Sequence, residues 1–117
     1  MQQVQTKPFD REEMLERLGG DTELLDDVLQ VFLEECPRML EEVRGAVHGG
    51  DPKLVHRTAH SMKGALLNIS AAPAAAEASQ LEELGSEERL TEVAPVLERL
   101  RQEIERLQQV LAEQTAG

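Results

Sequence analysis

Aromatic residues are almost missing from this chain of 117 residues, which has two phenylalanines and neither tyrosine nor tryptophan. β-Sheets draw on aromatic and β-branched side chains, and apart from scattered valines and the stretch near Ile69 the chain offers few. Cysteine is scarcer still. Cys36 stands alone, which excludes an internal disulfide framework. Its place in a helical apolar spacing marks it as a small buried hydrophobe rather than a nucleophile. No apolar run approaches the roughly 18 residues of a membrane span, and no basic segment followed by an apolar one opens the chain. The cytoplasm is the simplest expected location. Positive charge is also in short supply: 12 Lys and Arg stand against 23 Asp and Glu, a formal net charge of −11. Such a surface repels nucleic acid and anionic bilayers, so neither nucleic-acid binding nor direct membrane contact is expected.

What the chain does have is Leu, Ala, Glu, Gln and Arg, the residues that lose least on entering a helix. The expected fold class is therefore all-α. The length suits one domain, expected over residues 9–112, with flexible termini at 1–8 and 113–117. Asp10 and Glu13 form a capping-box pair for a short first helix that ends at Gly19-Gly20, with Phe9 and Met14 placed as a hydrophobic staple. Asp21 opens a long helix to about Val47. Its stripe is Leu25, Val28, Leu29, Phe32, Cys36, Met39, Leu40, Val43 and Val47. Pro37 lies inside this helix and is expected to bend it, because the stripe keeps its phase on both sides. After the stop at Gly49-Gly50, Asp51-Pro52 restarts a helix to about Asn68.

A tight connection over Ser70 to Pro73 leads to a fourth helix, expected to run through Leu84 and end at Gly85. Ser86 is expected to begin the last element, with Pro95 kinking it or delaying its regular start. Leu90, Val93, Leu97, Leu100, Ile104, Leu107 and Leu111 alternate there by three and four. That spacing fits a coiled-coil seam or one wall of a bundle. Short connections and the other amphipathic elements favour an antiparallel four-helix bundle with a short additional N-terminal helix, and a monomer.

The third helix carries the chemistry. On a helical wheel Val55, Thr58, Met62, Ala65 and Ile69 lie opposite His60 and face the core, flanked by Leu54 and Leu66. Around His60 gather Lys53, His56, Arg57, Lys63, Gly64 and Leu67. This is the one face where an acidic chain collects cations, which favour an anion beside the imidazole. Gly64 costs about 1 kcal/mol in a helix and clears space one turn from His60, while Leu67 offers an apolar contact. If the hairpin turns at residue 71, His60 and Glu82 stand at equal distances from it and at the same height. Glu82 can then accept a hydrogen bond from one imidazole nitrogen, fixing the tautomer and leaving the other nitrogen as nucleophile. His56 and His60 also form an H-x3-H pair, but a metal site needs a third ligand, and no metal is expected.

The run His60-Ser61-Met62-Lys63-Gly64-Ala65, continuing to Asn68-Ile69-Ser70-Ala71, resembles the motif of histidine-containing phosphotransfer (HPt) domains, H-S-L-K-G-S-x-x-N-x-G-A. Leu81-Glu82 is similar to that family's Leu-Glu pair on helix four. The likeness extends from about Phe9 to Leu111, with its specific part in the centre. It implies that His60 accepts a phosphoryl group on Nε2 from a receiver-domain aspartate, or from a kinase, and passes it to a receiver-domain aspartate. Lys63 would assist the phosphoryl group and Glu82 would orient the ring.

The implied partners are response-regulator receiver domains and a sensor histidine kinase. Lys53, His56, Arg57, Gly64 and Leu67 are the expected docking residues. With no Gly-rich phosphate loop and no metal-binding carboxylate cluster, the chain is expected to have no cofactor of its own and no ATPase or autonomous kinase activity. Mg2+ would sit in the receiver partner. The resemblance fits a free-standing relay protein and the cytoplasmic portion of a larger sensor kinase equally. Met62, Ala65 and Ser70 depart from the family pattern, the last where glycine is common. The rival reading is a non-catalytic helical interaction module that dimerises through the final apolar stripe.

Overall fold

The computed structural model describes residues 7–115, and within them every regular element is helical. Helix α1 spans Arg11–Arg17, α2 Thr22–Gly49, α3 Pro52–Asn68, α4 Ala72–Ser86 and α5 Val93–Thr115, with a 3-10 turn at Leu90–Glu92 before α5. Three starts follow from one chemistry. Asp10, Asp21 and Asp51 each accept, through Oδ1, the backbone N–H three residues on, at 3.0, 3.0 and 3.2 Å. The long α2 continues through Pro37.

Consecutive helices α2 to α5 pack side by side, and α5 returns against α2 to close the bundle. The core takes the α2 stripe of Leu25, Leu29, Phe32, Cys36 and Val43 together with Val55, Met62, Leu66, Leu81, Leu100, Ile104 and Leu107. Burial pushes the Cys36 thiol up to about 11, so it packs as a hydrophobe. Phe9 and Met14 are both buried. On α3 the core stripe centres on Ala59 and Leu66, with Thr58 and Ala65 only half-buried. The helix is thus turned slightly from the sequence-based wheel. Thr58 satisfies its hydroxyl by donating to the Leu54 carbonyl at 2.8 Å.

Two boundaries differ from expectation. Helix α4 runs past Gly85, which is buried inside it rather than ending it. The last helix begins at Val93, not Ser86, because Pro95 has no N–H for a helix already under way and the chain enters through the 3-10 turn. At the far end α5 continues through residues 113–115, which were expected to be flexible. The rest of the expected loose ends, residues 1–6 and 116–117, lies outside the described residues.

Candidate functional site

Helix α3 holds His60 near its middle, and the α3–α4 hairpin brings Glu82 across from it. The imidazole Nδ1 lies 2.7 Å from Glu82 Oε2. With a carboxylate as acceptor, Nδ1–H donates and the neutral ring keeps its lone pair on Nε2. The His60 side chain is 64% exposed while that of Glu82 is 16% exposed. A water-facing ring is therefore held from below by a largely buried carboxylate.

Lys63 reaches the imidazole through the same carboxylate. Its Nζ lies 2.6 Å from Glu82 Oε1, an oxygen that receives no well-aligned hydrogen bond and meets the ammonium as a charge contact. Burial raises the Glu82 carboxyl's affinity for its proton. The Lys63 and His60 contacts outweigh that and hold the group below the usual carboxylate range. Glu82 is thus an anion with one oxygen committed to the ring and the other to the cation.

His56 sits one turn before His60. Its ring runs parallel to the His60 ring at 16°, with centroids 6.3 Å apart, and its Nδ1 lies 3.2 Å from the Glu82 carbonyl oxygen. The side chain and the backbone of one α4 residue therefore contact two successive α3 histidines. Among the described residues no group of three or more His, Cys, Asp or Glu is arranged to hold a metal ion.

The other expected docking residues share this side of α3. Lys53, Arg57 and Gly64 are exposed, and Leu67 is 52% exposed. A Cβ at Gly64 would meet nothing within 4 Å. Among the described residues no neighbour requires glycine there, and its effect is to lower the surface beside His60.

Four features escaped the sequence reading. Gly85 is the point of closest approach between α3 and α4, where a Cβ would stand 2.7 Å from the His56 backbone nitrogen. A groove of about 390 Å3 opens between α2 and α3, lined by Val28, Val31, Phe32, Met39, Ala65 and Ile69, with Asp27 and Glu35 also contributing. Leu24 and Val31 are exposed on α2. Their signal was present in the sequence as apolar residues lying outside the α2 core stripe. Finally, Arg17 of α1 donates to the carbonyls of Leu67 and Asn68 and to Ser70 Oγ, closing the end of α3.

Residues 27–110 match the family model described as Hpt domain. The fold is similar to that of histidine-containing phosphotransfer protein B (HptB) from Pseudomonas aeruginosa PAO1, with a TM-score of 0.87 at 20% sequence identity over 96% of this chain and 97% of that one. A search of curated protein sequences found no match.

Proposed function

Because the chain belongs to the Hpt domain family, whose members act as phosphorelay intermediates, we propose that His60 is the residue that takes up and passes on the phosphoryl group. The observation carrying this reading is the exposed imidazole whose Nδ1 proton is tied to Glu82. In that tautomer Nε2 carries the lone pair that attacks a partner's phosphorus.

In the forward step the Nε2 lone pair attacks the phosphorus of a receiver's aspartyl phosphate. A nitrogen–phosphorus bond forms, the acyl phosphate oxygen–phosphorus bond breaks, and the receiver's aspartate leaves as carboxylate. The imidazole becomes cationic, and Glu82 stabilises it by accepting the Nδ1–H bond throughout. Transfer to a second receiver runs the same step in reverse. Lys63 would offset charge on the transferring group, and leaving Glu82 Oε1 for a phosphoryl oxygen exchanges one anionic partner for another. Mg2+ belongs to the receiver's aspartate pocket in this reading.

The partner surface extends from His60 across Gly64 and Leu67 toward Val31 and Leu24, with Lys53, His56 and Arg57 along its edge. Apolar contacts beside the reacting atom hold the receiver in line, and the acidic rim of the α2–α3 groove selects a partner with basic residues facing it. Location in the cytoplasm, free or as part of a larger sensor kinase, follows from such partners. The test is incubation with a phosphorylated receiver domain. Acid-labile phosphate should appear on the wild-type chain and be absent from His60→Gln. A wild-type chain that no receiver of its own cell can label would end this reading.

A further inference from the structure

Glu82 can serve His60 only if α4 stands at one height and one distance from α3, and the structure contains a device that sets both. Gly85 lies on the same side of α4 as Glu82, one turn on. A Cβ there would fall 2.7 Å from the His56 nitrogen, 2.9 Å from the Pro52 carbonyl oxygen and 3.1 Å from the His56 Cα. All three are backbone atoms of α3, so none can swing aside as a flexible side chain would. From the α3 side, the His56 ring reaches the Glu82 carbonyl at 3.2 Å, within the very residue whose carboxylate meets His60 at 2.7 Å.

We propose that Gly85 and His56 together form a register clamp that positions Glu82 against His60, making both of them positioning residues for phosphoryl transfer. Gly85 sets how closely the helices approach. His56 fixes the level at which they meet by holding the α4 backbone at residue 82. The His56 ring lies parallel to the reacting imidazole on the same face of α3, with their centroids 6.3 Å apart. Adding one methyl group at residue 85 pushes α4 outward at the turn that carries Glu82, and the short Nδ1–Oε2 contact lengthens.

This inference rests on the proposed role of His60, but its first readout does not. Two-bond 1H–15N correlation spectra of the full chain report which imidazole nitrogen carries the proton. In the wild type His60 should show the Nδ1–H tautomer. In Gly85→Ala the folded protein should lose that preference, and phosphoryl uptake from a phosphorylated receiver should slow by about tenfold or more, the size of effect that sub-ångström to ångström misplacement produces. In a Glu82→Ala background, Gly85→Ala should slow uptake no further, because the positioned group is already gone.

Should Gly85→Ala fail to fold, His56→Phe tests the same clamp. It keeps a ring but removes the Nδ1 donor, and should shift the His60 tautomer in the same direction, whereas His56→Gln, which retains an amide donor, should restore part of it. An unchanged His60 tautomer in Gly85→Ala or, where that variant does not fold, in His56→Phe would overturn the proposal. So would an equal slowing by Gly85→Ala with and without Glu82, which would make the glycine a general packing residue. A wild-type chain that takes no phosphate but shows the Nδ1–H tautomer, lost in Gly85→Ala, would remove the relay reading and leave the clamp standing.

Discussion

Glu82 works with both of its oxygens, and this ties the chemistry of the site to its stability. A carboxyl group whose proton affinity is lowered on folding binds its proton more weakly in the folded than in the unfolded chain. The stability it contributes is present in full above the unfolded value, near 4.5, and is lost as the pH falls through the lower folded value. Glu82→Gln removes this dependence while keeping a side chain of the same length. At pH 7 the variant should be less stable than the wild type in urea unfolding, and the gap should narrow as the pH is taken below 4.5. A gap that stayed constant down to acid pH would show that the carboxylate's charge contributes nothing beyond its shape. The sequence made this residue legible because His60 and Glu82 are equidistant from residue 71, and Ala71 does sit in the turn between the two helices. The sharing of Glu82 with Lys63 was not legible. Lys63 and Glu82 belong to different helices, and the reach of a long side chain depends on an inter-helix distance that no local pattern encodes.

At the scale of the elements, four helices end alike. After α1, α2, α3 and α4 the chain turns through a left-handed residue, at Gly19, Gly50, Ser70 and Glu88 respectively. In each case the next N–H bonds back to a carbonyl of the last turn, as Gly20 does to Leu15, Asp51 to Ala46, Ala71 to Leu66 and Arg89 to Leu84. Two of the four positions carry glycine, and those two ends were read correctly. The other two carry side chains that seldom adopt positive φ: the α3 end still falls at Asn68 with the turn opening at Ser70, as expected, and only Glu88 carries no local sign. Gly85, the glycine nearest the fourth end, reads in the sequence as the stop that Glu88 actually provides. Its real constraint is the close approach to α3, a tertiary demand that looks like a terminator in one dimension. Ser70 has compensation, since its hydroxyl bonds Arg17 at 2.7 Å. Glu88 is exposed, with φ at 57°. Glu88→Gly should therefore raise stability by about 0.5–1 kcal/mol, the left-handed penalty relieved less the added chain entropy of glycine. Chemical denaturation of the two proteins measures it, and a lower midpoint for the variant would mean that the Glu88 side chain stabilises the turn in some other way.

For the whole molecule the decisive question is where the α5 stripe goes. Its alternation by three and four fits a dimeric seam as well as a bundle wall, because both bury one face of a helix. The structure places Val93, Leu100, Ile104, Leu107 and Leu111 in the chain's own core, fully or almost fully buried. Helix α5 reaches both α4 and α2, so the apolar face is used up within one copy. A second copy pairing through that seam would first have to open the bundle and expose the side chains of α2 and α4 beneath it. The prediction is a monomer whose melting temperature does not change when the protein is diluted a hundredfold, since only association makes unfolding depend on concentration. Leu107→Ala should then destabilise by about 2–5 kcal/mol, the cost of a cavity in a closed core, again independently of concentration. A wild-type melting temperature that falls on dilution, with Leu107→Ala steepening the fall, would instead put the stripe between two chains.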